Sequence, residues 1–400
     1  MSIAPSSYAG LAINSHFQPV YSLAHRRTVG MEVLLRASVD GEMLDPTEAF
    51  QRINIKERHA FDLAICASHA YHFYQQITEP NWLFLNIDAV SLTRPEQANE
   101  LAQAIINTGI PPEAVVLEIA EHALDLDDRI LNGVSLLKKS GFLVAIDDFG
   151  VGHANLDRVC ELTPDLIKFE RHLLRSAVSQ PRIRNLLNRL VHLMHETGAL
   201  VVQEGVETES DVLIVLDSGC DLIQGRFLAH PQAIPESDEI ITPRIDACWD
   251  ELMVRDLLRR KVTRRQRELA RQSFMQTAIS LMQNIPFDEA AKPMLNMPDV
   301  VRCFLLDSGG RQIGRNLNSY QGTTTVNPRF APLANTTGAV WSRRSYFQHA
   351  IDQPGILYMS KPYLSMTDTR SCITLSMAIE INETVHVLCA DILTSHVYRK

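Results

Sequence analysis

The sequence predicts an α/β protein: a (β/α)8 TIM-type barrel, then a long connecting helix, then a smaller α+β module. Three observations predict it. From about residue 82 to residue 224, short apolar runs alternate with helical patterns, the cadence of a parallel sheet. Polar residues close those runs, each after a different strand: Asn86, Glu118, Asp147 with Asp148, Lys168, Glu204 and Gln224. Between Pro243 and Pro286 there is neither Pro nor Gly, and beyond that the pattern turns to hairpins. A barrel gathers its chemistry at the C-terminal strand ends, whereas an open doubly wound sheet spreads the same positions along a line. The expected boundaries are 1–240 for the barrel, 241–284 for the helix and 285–400 for the α+β module.

The elements follow in order. FQPVYSL and TVGMEVLLR read as two strands around a turn at Ala24 to Arg27. Glu32 interrupts the second apolar run, which places it at an edge or in a site, and Arg36 four residues on shares its side. Residues 46–76 are helical, with Phe50, Ile53, Phe61, Ile65 and Tyr71 as apolar teeth. The strand from Trp82 ends at Asn86. Helix 96–108 leads to strand 115–117 and Glu118; helix 128–140 leads to strand 143–146 and the Asp147–Asp148 pair, before a turn at Gly150 and Gly152. A short helix from Asn155 precedes strand 166–167 and Lys168. Helix 182–197 precedes strand 199–202 with Gln203 and Glu204, and helix 210–218 precedes strand 222–223 with Gln224 and Gly225.

Composition bounds the function. The 400 residues are 46% apolar and 21% charged, which suits an ordinary globular protein with room for two domains. A net charge of −9 argues against a nucleic-acid coat or a membrane-surface protein. Seven cysteines, odd in number and without a CxxC pair, fit reduced thiols in a cytoplasm. No run is long enough to span a bilayer and the first residues lack a basic start, so a cytoplasmic, unanchored protein is expected.

Adjacent carboxylates at a strand end repel unless a cation or proton separates them. An isolated pair reads more readily as a helix cap beside a solvated acid. Joined by Glu32, Asn86 and Glu118, the pair becomes a set of hard oxygen donors without Cys or His, which suits Mg²⁺ or Mn²⁺ rather than Zn²⁺. Several carboxylates can hold two such ions, the arrangement that supports in-line attack on a phosphodiester.

FQPV near the start, Glu32–Val33–Leu34 followed by Leu35 and Arg36, LNIDAVS around Asn86, LEIAE around Glu118, IDDFGVG, DLIKFE, QEGVET and QGRFLAHP occur in order. In these pieces the stretch from about Phe17 to Pro231 resembles the EAL domain, the cyclic di-GMP phosphodiesterase family. The resemblance implies a barrel whose first strand runs antiparallel to the rest, and metal-dependent opening of cyclic di-GMP to linear pGpG. It implies that Glu32, Asn86, Glu118 and Asp147 bind one ion and that Asp147 and Asp148 help to hold a second. Lys168 would orient the attacking water, Glu204 would serve the metal and water network, Arg36 would meet a phosphate, and Gln224 would lie at the second ion or its water. Glu121 and Glu207 would act from behind these ligands, Glu121 tethering the loop 149–155 that governs the metal site and the homodimer contact. Departures are Val33 for the signature Ala, Val151 to Asn155 in that loop, Phe169–Glu170 for Ile-Asp, and Gln203 for Ala. No expected ligand is missing, which favours an active enzyme over a catalytically weak or inactive receptor for the same nucleotide.

The stretch between Pro243 and Pro286, which holds RDLLRRKVTRRQRELARQSFMQTAISLM, extends ~60 Å if helical throughout. Leu258, Val262 and Leu269 hint at a pairing seam, interrupted by Arg265, Gln272 and Gln276; the basic run reads as a solvated face rather than a nucleic-acid contact. The last segment resembles a Cache or PAS-like sensory domain in WSRRSYFQHAI, KPYLS and a late Asp. Arg344, Tyr346, Tyr363 and Asp391 would then shape a pocket for a small molecule, and the module would regulate the barrel through the dimer.

Overall fold

Eight strands close the first part of the chain: β1 (Leu11–Ser22), β2 (Arg27–Val39), β3 (Trp82–Asn86), β4 (Val115–Ala120), β5 (Leu143–Phe149), β6 (Leu166–Phe169), β7 (Leu200–Gln203) and β8 (Leu222–Ile223). This computed structural model describes residues 7–44, 46–76, 81–124, 128–150, 156–319, 332–333, 335–366 and 369–394, and separates into two compact units, Met1–Met253 and Val254–Lys400. Strands β2 to β8 run parallel in sequence order, and β1 closes the ring antiparallel to both β2 and β8. The exception has a simple cause. β1 and β2 are joined by a tight turn, which enforces a hairpin, whereas the other strands are joined by helical crossovers.

One apolar layer plugs the ring. Val20, Phe84, Val116, Ala145, Leu166, Val202 and Leu222, one from each of seven strands, pack together. β2 contributes Gly30, where a Cβ would stand 2.5 Å from Phe84 Cε2; the Phe84 ring fills the space of the eighth side chain. The opposite faces of the strands, including Leu83, Leu85, Leu117, Ile146, Ile167 and Val201, pack against the surrounding helices. These are α1 (Arg58–Gln76), α2 (Pro95–Ile106), α3 (Asp128–Lys139), α4 (Leu156–Leu162), α5 (Arg171–Ser179), α6 (Pro181–Glu196) and α7 (Glu209–Ser218). α5 was not expected from the sequence. It is separated from α6 only by Gln180 before Pro181, and its polar face masks the two buried positions, Leu174 and Ala177, that dock it.

The long helix α8 (Asp238–Met282) begins inside the barrel unit, where Ile241, Ile245, Cys248 and Leu252 join its core. The first unit therefore ends at Met253, beyond the boundary at residue 240 expected from composition. From Met253 to Leu269 no helix residue is buried.

The second unit is an antiparallel sheet of β9 (Val300–Asp307), β10 (Gln312–Asn318), β11 (Tyr358–Met359), β12 (Tyr363–Leu364), β13 (Ser371–Ile381) and β14 (Thr384–Leu393). Its order is β10-β9-β14-β13-β11, with β12 also on β13. Strict alternation gives it two apolar faces. Cys303, Leu375, Met377, Leu388 and Ala390 meet Phe274, Ala278 and Leu281 of α8, while Phe304, Leu306, Val387 and Cys389 meet Tyr346, Phe347 and Ala350 of α9 (Ser345–Asp352). All seven cysteines are unpaired; Cys160 on α4 is exposed and the other six are buried. Among the described residues no helix is long and apolar enough to cross a membrane.

Candidate active site

Two residues beyond each member of the apolar plug, on the same side of its strand, stands a polar one. Glu32 follows Gly30, Asn86 follows Phe84, Glu118 follows Val116, Asp147 follows Ala145, Lys168 follows Leu166, Glu204 follows Val202 and Gln224 follows Leu222. β1 runs the other way, so its contribution is Gln18, two residues before Val20. The period of two along every strand thus stacks a polar ring directly on an apolar one, at the C-terminal mouth of the parallel strands.

Lys168 is the centre of that ring. Its fully buried ammonium lies 2.6 Å from Glu204 Oε1, 2.7 Å from Glu118 Oε1, 3.0 Å from Glu32 Oε2 and 3.5 Å from Asp147 Oδ1. Glu32 also accepts from Asn86 Nδ2 at 2.9 Å and from Gln224 Nε2 at 2.6 Å. Burial alone would depress the lysine, but Asp147, Glu118, Glu204 and Glu32 together hold it well above its ordinary value. Burial raises Glu118 far above the usual carboxylate range, with Glu32 adding to it, and burial pushes Glu204 up to about 7. Glu32 is the exception: burial works against its charge, yet Lys168, Gln224 and Asn86 carry it below the ordinary value.

Strand β5 is irregular where its two acids stand. Its register with β6 shifts between Ile146 and Phe149, and Asp148 takes a left-handed φ of 57°. On a regular strand adjacent side chains point to opposite faces; here carboxylate oxygens of Asp147, Asp148 and Glu204 all lie within 4.8 Å of one another. Burial and the neighbouring Asp147 raise Asp148. Phe149 stacks on Phe169 at 5.9 Å beyond the bulge. Glu118 Oε2 is buried without a hydrogen bond or ion pair, and Glu118 Oε1 and Asp147 Oδ1, also without a hydrogen bond, face only the Lys168 ammonium. One ammonium among so many acids leaves an excess of negative charge, and the donors are hard oxygens. The residues present therefore fit divalent cations of the Mg²⁺ or Mn²⁺ type.

Not every expected residue joins this cluster. Glu121 is buried behind it and accepts the Gly150 N–H at 2.9 Å, which fixes the start of the loop after β5; residues 151–155, including His153, lie outside the described residues. Arg36 stands four residues up β2 from Glu32, and its guanidinium donates to the Leu35 carbonyl at 2.9 Å. Glu207 is drawn outward by Arg226 at 2.6 Å and Arg175 at 3.4 Å, so it does not reach the ring. Glu170 caps α5 by accepting from the His172 N–H, which directs this longer acid towards the helix. Gln203 holds the backbone by donating to the carbonyls of Phe169 and Glu204. Gln18, which receives a hydrogen bond from Gln224 at 3.3 Å, was missed; its signal was its place two residues before an inward Val on a reversed strand.

In the second unit, Arg344, Tyr346, Tyr363 and Asp391 line one small cavity, about 20 Å³, room for about one water. The Arg344 guanidinium lies 5.1 Å from the Tyr363 ring and 6.0 Å from that of Trp341. Asp391 is held by Thr374 at 2.8 Å, Tyr363 at 3.3 Å and Arg302 at 3.1 Å. Arg302 was also missed, although it interrupts the apolar strand VVRCFLL as Glu32 interrupts its own.

A family model described as the EAL domain matches residues 11–231. The uncharacterized EAL-domain containing protein YkuI of Bacillus subtilis is 23% identical over 340 residues, 83% of this chain and 82% of that protein. The cyclic di-GMP phosphodiesterase RocR of Pseudomonas aeruginosa is 27% identical over 222 residues, 54% of this chain and 57% of RocR. Among solved structures, YkuI in complex with cyclic di-GMP and calcium superposes with a TM-score of 0.76 at 22% identity, covering 96% of each chain. The Klebsiella pneumoniae BlrP1 complex with manganese and cyclic di-GMP does so with a TM-score of 0.52 at 27% identity, over 57% of this chain and 58% of that one. The chain thus spans little more than half the length of RocR and BlrP1.

Proposed function

The chain belongs to the EAL domain family, and from that premise we propose that it hydrolyses cyclic di-GMP to linear pGpG with Mg²⁺ or Mn²⁺, two ions per site. The observation that carries this reading is the buried ring around Lys168, in which Glu118 and Asp147 keep oxygens without a hydrogen bond. Glu32, Asn86, Glu118 and Asp147 would hold one ion, and Asp147 and Asp148, with Glu204 beside them, would help to hold the other. Divalent ions bound there neutralise the phosphate and lower the pKa of bound water. Lys168, kept protonated by its acids, orients the water, and Glu204 at 2.6 Å from it accepts a hydrogen bond from the same network. Arg36 would engage a phosphate of the substrate, Gln224 steadies Glu32 and would lie near the second ion, and Glu121 anchors the loop that starts at Gly150.

The active unit in this reading is a homodimer. The second unit, read as a PAS/Cache-like module, would take a small molecule at Arg344, Tyr346, Tyr363 and Asp391 only once their cavity, which now has room for about one water, opens, and that opening would bias the pairing of the barrels. A receptor that binds cyclic di-GMP without cleaving it is favoured by one observation: Glu170 is committed to its helix cap. Incubation of purified protein with cyclic di-GMP and Mg²⁺ or Mn²⁺, with products separated by chromatography, distinguishes the two. Linear pGpG is the expected product; tight binding with no product establishes the receptor.

A further inference from the structure

Within the second unit, α8 packs on the sheet from Ala270 onwards, through Phe274, Ala278 and Leu281. Upstream of Ala270 it departs from the sheet and leaves a cavity of about 630 Å³ between them. The helix wall of this cavity is mainly cationic, with five arginines against one acid, Glu268. Arg260, Arg264, Arg267 and Arg271 recur at intervals of four, three and four, which sets them along one edge. The opposite wall is apolar: Leu357, Met359 and Leu375.

Like charges at these spacings repel along a helix. None of the four arginines forms an ion pair among the described residues. Residues 255–271 hold eight Arg or Lys against two Asp or Glu, a local balance of +6 (8 − 2) in a chain of net −9. A second, apolar cavity of about 230 Å³, lined by Val300, Pro362, Ile373 and Ile392, adjoins the first and shares Thr263, Arg267 and Met359 with it.

We propose that this groove binds a soluble phosphate ester with an apolar or planar body, a nucleotide by size. Guanidinium groups match phosphate oxygens with paired donors and stack on planar rings. Met359 and the leucines supply the surface against which the body lies, methionine adapting to its shape. The cavity falls within the ~300–1,000 Å³ of small-molecule sites. A merely solvated helix edge would not face an apolar wall. The site is independent of the barrel chemistry.

The test uses the full chain with EDTA present, which removes the divalent ions the barrel would use. N-methylanthraniloyl-GTP is titrated by fluorescence anisotropy, with inorganic pyrophosphate as competitor. Saturable binding is expected, weakened at least tenfold in R264Q/R267Q, a variant that leaves cyclic di-GMP turnover unchanged. Met359→Ala weakens the labelled nucleotide but not pyrophosphate. Equal affinity in R264Q/R267Q and wild type overturns the proposal, as does absence of saturation to millimolar nucleotide. Cosedimentation with phosphatidylglycerol vesicles in the absence of nucleotide binding assigns the arginines to a lipid surface instead. Dissociation of a dimer by R264Q/R267Q in a protein that binds no nucleotide assigns the groove to a second copy of the chain; both results reject the proposal.

Discussion

Lys168 compensates Glu32, Glu118, Asp147 and Glu204 from inside the barrel. Removing one partner of a buried charge network costs about 3–5 kcal/mol, because the others remain without water. Lys168→Met is therefore expected to abolish hydrolysis and to lower the melting temperature, and Mn²⁺ should raise the melting temperature of the variant more than that of the wild type. Thermal melts with EDTA and with Mn²⁺ check this; an unchanged melting temperature removes Lys168 from its compensating role. A second residue sets a pH dependence. His69 is buried beside Ser15, its Nδ1 2.7 Å from Ser15 Oγ, and burial, with His72 adding to it, pushes its pKa down to about 3 from 6.5. The unfolded chain then binds a proton that the folded chain refuses. Stability is present above pH 6.5 and is lost as pH falls towards 3, at up to about 1.4 kcal/mol per pH unit. Melting temperatures at pH 7 and pH 5 should show the fall, and His69→Asn should flatten it. At this scale the sequence was legible where an acid or amide ended an apolar strand, as at Asn86, Glu118 and Gln224. It was illegible where chain direction had to be known, as at Gln18, and where a charge inside a strand was passed over, as at Arg302.

An element carries its own logic in the stacking of an apolar plug beneath a polar ring. Gly30 is the one position in the plug without a side chain, since a Cβ would meet Phe84 at 2.5 Å. Gly30→Ala forces that ring off its rotamer, at about 1–3 kcal/mol for overpacking. The expected result is a lowered melting temperature that Phe84→Leu restores; if the double variant melts no higher than Gly30→Ala, the ring is not the obstacle. The strands were legible because buried parallel strands are short apolar runs, and α7 because Thr208 and Asp211 form a capping box before Gly219 ends it. The bulge in β5 was not legible, since two adjacent Asp at a strand end do not reveal that a register shift will turn both towards Glu204.

At the scale of the whole molecule the question is where one unit stops. Composition placed the change near residue 240, but Ile241, Ile245, Cys248 and Leu252 are buried in the barrel core. Side chains of this kind contribute about 1.5–3 kcal/mol each when buried. A chain ending at residue 253 should keep the barrel's melting temperature within a few degrees, while one ending at residue 240 should melt far lower or aggregate. Circular dichroism melts of the two compare them directly; equal melting temperatures would place the boundary back at residue 240. The absence of Pro and Gly between Pro243 and Pro286 predicted a helix but not which of its turns serve which core, because Met253 to Leu269 lacks the buried stripe that would mark the handover. The cysteines give the intact chain a further property. Thiol reagents need an accessible thiolate, and only Cys160 is exposed, on the helix that follows residues 151–155. A maleimide dye or spin label added to the unaltered protein should thus attach at a single address, on α4. The chain is its own single-cysteine reporter, with no thiol to be engineered away before fluorescence or electron paramagnetic resonance is recorded.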